Sequence, residues 1–134
     1  MMRKEILRRN RNHTGWWIAS YIERFEFYDE DRLNANRRCL AWENTILIKA
    51  EDREEAYQKA VDCARLAEGC EARNDCGRTG VWRYEGLTSL LPVYEELEDG
   101  AEILWVEHAG KTVRKIQSRV KTKNELEAFD DNES

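Results

Sequence analysis

The chain has 134 residues, 22 of them basic and 27 acidic, for a net charge of −5 at pH 7. That length holds one domain whose core needs no disulfide or metal staple. The chain has neither an apolar run of about 18 residues nor an apolar N-terminal leader. A cytoplasmic protein without a membrane-spanning helix is therefore expected, with no membrane among its partners.

Charge is segregated along the chain: residues 1–15 carry net +4, residues 16–110 net −10, and residues 111–134 net +1. An acidic body repels phosphate backbones, so any nucleic acid would be held by the arms, residues 3–11 and 111–123. In the first arm, Arg3, Lys4, Arg8, Arg9 and Arg11 surround only Ile6 and Leu7, the pattern of a solvated segment.

Trp16 to Tyr28 reads as a strand. Trp17, Ala19, Tyr21, Phe25 and Phe27 share one parity, and Trp16, Ile18 and Ile22 the other. Apolar residues on both faces near Trp17 predict a central strand covered on both sides there. Asp29 to Arg38 is a polar connection, longer than most hairpin loops. Leu40 to Lys49 follows as a second strand, with Leu40, Trp42, Ile46 and Ile48 on one face and Leu47 the apolar exception on the other. A hairpin joins the two.

Asp52 stands at a helix N-cap position, with Glu55 three residues on, and Glu54 and Glu55 suit the positive end of the helix dipole. Ala56, Ala60, Cys63, Ala64 and Ala67 form a narrow stripe at helical spacing, and Gly69 is the expected stop. Small residues on that stripe let the helix lie close to a sheet. Cys70 to Gly80 has no periodicity and reads as a loop.

Val81 to Leu87 returns to strand. Leu90 to Tyr94 is expected to be an edge strand or a packed connector, because Pro92 has no amide hydrogen for a ladder. Glu95 to Gly100 is an acidic turn, and Glu102 to Glu107 a last strand with Ile103 and Trp105 on one face. Val113, Ile116 and Val120, among basic residues, predict a basic helix, and Glu125 to Ser134 a disordered acidic tail.

No arrangement carries recognisable catalysis. The four cysteines, Cys39, Cys63, Cys70 and Cys76, form no C-x-x-C pair, and His13 and His108 lie far apart, so neither a metal nor another cofactor is expected. Glu95, Glu96, Glu98 and Asp99 cluster on a turn that water should solvate. Gly77-Arg78-Thr79-Gly80 is too short for a phosphate loop and opens no helix. Five tryptophans are the unusual feature, and Trp17, Trp42, Trp82 and Trp105 each sit on a different predicted strand. One short helix covers only one face of a small sheet. Aromatic residues left uncovered, beside Arg24 or Arg83, would make a binding surface.

Trp16-Trp17-Ile18-Ala19, Ile46 to Asp52, Glu55 to Ala60, Trp82 to Leu87 and Glu95 to Ile103 occur in this order. Together, over roughly residues 16–107, they resemble a bacterial family known only as domain of unknown function 4288. The resemblance implies no activity and brings no catalytic residues.

The expected fold is α+β: a mostly antiparallel sheet of about four strands with one main helix on one face, in the order β-β-α-β-β, plus a basic C-terminal helix. Three segments are expected: a basic arm (1–15), the α+β domain (16–110), and a basic helix with an acidic disordered tail (111–134). The leading functional expectation is a non-enzymatic binding protein acting through a protein–protein or self-association surface. An inhibitory or immunity-type role is the analogy of class. It predicts an acidic patch that meets a basic partner, drawn either from Asp29–Asp31 or from Glu95–Asp99, the latter including Glu95, Glu96 and Asp99. The alternative is a small anionic ligand or nucleotide held by Trp82, Arg83 and Tyr84, with Arg24 as a further binding residue, in a monomer or an oligomer. A nucleic-acid accessory protein using the two arms is third.

Overall fold

A computed structural model describes residues 11–132. Residues 16–92 contain a four-stranded antiparallel sheet, ordered β2-β1-β4-β3. Its strands are β1 (Trp16–Phe27), β2 (Leu40–Lys49), β3 (Glu71–Arg73) and β4 (Thr79–Pro92), with helix α1 (Arg53–Ala64) between β2 and β3. The order is the expected β-β-α-β-β, but the third and fourth strands are not the expected segments. The body of the chain reaches Leu104, and Trp105 opens a second compact unit.

β1 is central because it carries apolar residues on both faces. Trp17, Ile18 and Ala19 are all buried, and the strand pairs with β2 on one side and β4 on the other. β1 and β2 form the expected hairpin, with Trp17 opposite Ile48 and Phe25 opposite Leu40.

α1 begins where the sequence places it. The Asp52 carboxylate accepts from the Glu55 amide at 2.8 Å, satisfying one of the four free donors of the first turn. Asp52→Ala is expected to cost about 1 kcal/mol of stability, measured as a shift in the urea midpoint. Ala56, Ala60 and Ala64 are buried against the sheet. Their spacing of four residues draws one stripe down the helix. Cys63 lies off that stripe and is exposed, contrary to its expected place on the apolar side. The core joins Ala56 and Ala60 to Trp17, Ala19, Ile48 and Ala50. The Trp17 indole N–H donates to the Ala50 carbonyl at 3.2 Å, so its one polar atom is satisfied in the interior.

The second half of the sheet departs from the expected boundaries in three places. First, the expected loop over residues 70–80 contains β3, a three-residue strand with no apolar pattern. Backbone bonds hold it in place: Gly69 donates to Trp82 at 2.7 Å, Trp82 to Cys70 at 3.1 Å, and Asn74 to Arg78 at 2.9 Å.

Second, β4 runs unbroken through Pro92. The Val93 amide donates to Trp16 at 2.9 Å, which turns the nitrogen of Pro92 away from β1. β3 covers β4 only over residues 79–81, so at Pro92 the strand is an edge and no ladder bond is lost. The register between β1 and β4 shifts twice, leaving Glu85 and Thr88 as extra residues on β4.

Third, residues 102–107 form no strand. The turn before them is closed by the Ala101 amide donating to the Glu98 carbonyl at 3.0 Å, and the Glu95 carboxylate accepts from the Glu102 amide at 3.0 Å. Ile103, Leu104, Trp105 and Val106 then stay exposed without a ladder partner. Alternation marks a segment as able to pair but does not by itself supply a partner strand.

Gly80 shows how closely the strands approach. A Cβ there would stand 2.2 Å from the Glu26 carbonyl oxygen, a backbone atom that cannot step aside. Gly80→Ala is expected to cost about 2 kcal/mol, read from thermal unfolding.

The second unit holds helix α2 (Val113–Ser118), capped by Thr112, whose hydroxyl accepts from the Lys115 amide. This is the predicted basic helix, in shorter form. Short 3-10 turns follow at Lys123–Glu125 and Glu127–Phe129. No helix among the described residues is long and apolar enough to cross a membrane.

Candidate functional site

β1 has 12 residues and extends about 40 Å. α1 also has 12 residues but spans only about 18 Å. The helix therefore covers the Trp17 end of its face and leaves the Phe25 end to cover itself. There, four aromatic side chains from three strands pack together. The Phe25 ring lies 4.9 Å from Phe27 and 5.2 Å from Trp82, both edge-on, and Trp42 lies 4.8 Å from Trp82. Phe25 is buried by its neighbours, whereas Trp42 is 52% exposed and Leu40, two residues before it on the same face, 51%. Arg78 lies over the Phe27 ring at 3.7 Å and is fixed by Asp29 at 2.7 Å, which also holds the Asp29 carboxyl below its usual range.

The opposite face of the same strands carries charge. Arg24 and Arg83 are direct cross-strand partners. Between and around them stand carboxylates: Arg24 pairs with Glu26 at 3.2 Å, Glu85 at 3.0 Å and Glu30 at 3.6 Å. Arg83 pairs with Glu26 at 3.7 Å and Glu68 at 3.5 Å. The long β1–β2 connection supplies two further cations, Arg32 to Glu26 at 2.9 Å and Arg37 to Glu30 at 3.3 Å. The bulge at Glu85 aims that carboxylate at Arg24.

The Glu26 side chain is only 9% exposed. Burial pushes its carboxyl up, but the Arg24 hydrogen bond and the charges of Arg32 and Arg83 outweigh burial and hold it below the usual glutamate range. A cleft of about 190 Å³ lies beside this network, lined by Arg24, Ala35, Arg37, Cys39 and Glu85. A second, of about 330 Å³, lies near the start of α1, where His13, Lys49 and Lys59 are mixed with Glu51 and Glu55.

The residues singled out in the sequence are thus divided between two faces. Trp82 belongs to the aromatic corner. Tyr84 shares its face and has Arg65 over its ring at 5.3 Å. Arg83 and Arg24 point to the other face, each already matched by carboxylates. Trp82, Arg83 and Tyr84 therefore do not converge on one ligand. Glu95, Glu96 and Asp99 are exposed on their turn, with Glu95 bonded to the Glu102 amide. The arm residues 3–10 lie outside the described residues.

Glu26, Glu30, Glu68 and Glu85 were missed as partners of the arginines. The signal for one of them was legible, since Arg24 and Glu26 share parity on a strand. Among the described residues no group of three His, Cys, Asp or Glu side chains is placed to hold a metal ion. All four cysteines are exposed and unpaired with one another.

No curated protein and no solved structure matches the chain. A family model, described as domain of unknown function (DUF4288), matches residues 16–105, a span that takes in the whole sheet, α1, the aromatic corner and the arginine–carboxylate network. The chain belongs to the DUF4288 family.

Proposed function

We propose that this chain is a small, non-enzymatic cytoplasmic binding protein whose contact surface is the aromatic corner of its sheet. One observation carries the reading: Leu40 and Trp42 are half exposed, side by side on a regular strand, with the Trp42 ring resting on Trp82. A large aromatic side chain held by a rigid strand binds with little ordering cost, which is why such residues dominate protein interfaces. A purely structural tryptophan is expected deeper, as Trp17 is. The arginines of the reverse face are neutralised by carboxylates, which weighs against an anionic ligand there.

Trp42→Ser tests the reading. The ring is half exposed, so its loss should cost about 2–3 kcal/mol of stability and leave the protein folded. Immobilised wild-type protein should retain a partner from host extract, or a second copy of itself, that the variant loses. A variant that retains the same partner equally well would overturn the assignment of the surface.

A further inference from the structure

The sheet has two edges, and the chain treats them differently. The β3–β4 edge is blunted: β3 has three residues, the register of β4 shifts twice, and Pro92 closes its far end. These are the devices that prevent strands from adding to an edge. β2 has none of these three, and the only charges on its outward-facing residues are Glu43 and Lys49, one of each sign. It is ten residues long, contains no proline, and keeps one unbroken register with β1.

Its outward side follows from the ladder. The Ala50 amide donates to Gly15, which continues the register of Trp16 with Lys49. Even-numbered residues of β2 therefore turn their backbone groups to β1. Ala41, Glu43, Thr45, Leu47 and Lys49 turn theirs outward, along the free edge. Among the described residues the only bond made to those outward groups comes from the Lys59 ammonium, to the Lys49 carbonyl at 2.8 Å.

We propose that two copies of this chain pair antiparallel along β2, about a two-fold axis between their Ile46 residues, joining the two sheets into one. The proposal rests on the self-association form of the reading above. Charge selects the register. With Ile46 opposite Ile46, Glu43 of each copy faces Lys49 of the other, and Thr45 faces Leu47. The outward-facing backbone groups then meet outward-facing ones.

Neighbouring registers are worse. Centring on Thr45 sets Glu43 against Leu47 and Lys49 against Ala41. Centring on Leu47 sets Glu43 against Glu51. Opposite charges directly across a ladder stabilise it and like charges destabilise it. In the favoured register Trp42 comes opposite Ala50 of the other copy, which brings the aromatic corner to the join. A single added strand pair is a small interface, so the expected dissociation constant is about 1–100 μM.

Sedimentation equilibrium of the full chain, up to roughly 0.5 mM to bracket that range, tests the pairing. Wild type should dimerise. Glu43→Lys and Lys49→Glu alone should each weaken the dimer about tenfold, since each sets like charges opposite at both symmetric positions. The double variant exchanges the charges and should recover wild-type affinity to within about threefold. Thr45→Pro removes an outward amide and leaves the backbone bonds to β1 in place, although the Thr45 hydroxyl bond to Ser20 at 2.8 Å is lost. It should give a monomer whose circular dichroism is unchanged. Thr45→Val, which loses the same hydroxyl but keeps the amide, is the control and should still dimerise.

A dimer indifferent to the charge variants and to Thr45→Pro would overturn pairing through β2 while leaving self-association intact. A wild-type monomer throughout would overturn self-association as well, and the Trp42→Ser capture experiment would then decide whether a different protein uses the surface. A dimer broken by the single charge variants but not restored by the double one would overturn the register.

Discussion

Trp17→Ala should destabilise the protein by about 3–5 kcal/mol. The indole is 3% exposed and lies between the start of β1 and the alanine stripe of α1, in one cluster with Ala19, Ile48, Ala50, Ala56 and Ala60. Its neighbours are mostly small, and two of them, Ala56 and Ala60, belong to a helix already drawn close to the sheet, so little can move to fill the space. The indole N–H bond to Ala50 is lost with the ring. Domains of this size have total stabilities of roughly 5–15 kcal/mol, so the substitution removes a large share of the whole. Urea unfolding followed by far-UV circular dichroism measures it. Trp17→Phe keeps most of the volume and should recover more than half of the loss. A cost for Trp17→Ala near 1 kcal/mol would show that the ring is not central to the core.

Glu26→Gln should be the second large loss, about 2 kcal/mol, between the values for exposed and fully buried pairs. Glu26 is the one carboxylate shared by Arg24, Arg32 and Arg83. Neutralising it leaves three guanidinium groups on one side of a sheet with their common counter-charge gone, and the Glu26 side chain is buried although Arg32 and Arg83 reach solvent, which screens part of the loss.

The same group sets an acid limit. Its folded carboxyl titrates below the usual glutamate range, so the folded protein binds fewer protons than the unfolded chain between the two values. The stability contributed is fully present above the unfolded value, near pH 4.3. It is lost as pH falls through the folded value. Wild type should therefore lose stability steeply on acidification below about pH 4. Glu26→Gln should start lower and show a shallower fall. Urea midpoints collected across pH 3–7 compare the two; parallel curves would contradict the role given to Glu26.

Much of this architecture was legible in the residues because it obeys simple periods. Alternation located β1 and β2, and two-sided burial at Trp17 and Ile18 marked β1 as central. Asp52 announced the helix, and alanines four apart drew its buried stripe. What escaped detection depends on partners distant in sequence. β3 is made by backbone bonds to β4, and Glu-Ala-Arg gives no pattern that would announce it.

The strand expected at residues 102–107 has the right alternation, but no edge takes it up. Loose helical spacing places Cys63 on the buried side, whereas the buried stripe of Ala56, Ala60 and Ala64 follows steps of four. For the candidate site, Trp82, Arg83 and Tyr84 could be named from the sequence, and strand parity alone separates Arg83 from its two neighbours. The carboxylates that neutralise the arginines could not be assembled without the fold. Glu85 reaches Arg24 through a bulge, and Arg32 and Arg37 arrive from a loop.

The most direct test of the aromatic corner is site-specific photo-cross-linking in host cells. A photoreactive phenylalanine analogue replaces Trp42 in one version and Gln58, on the exposed side of α1, in another. A discrete adduct from position 42, shifted by the mass of a partner or of a second copy and missing at position 58, is the expected result. Equal labelling at both positions, or none at position 42, would contradict the assignment of the corner as the contact surface.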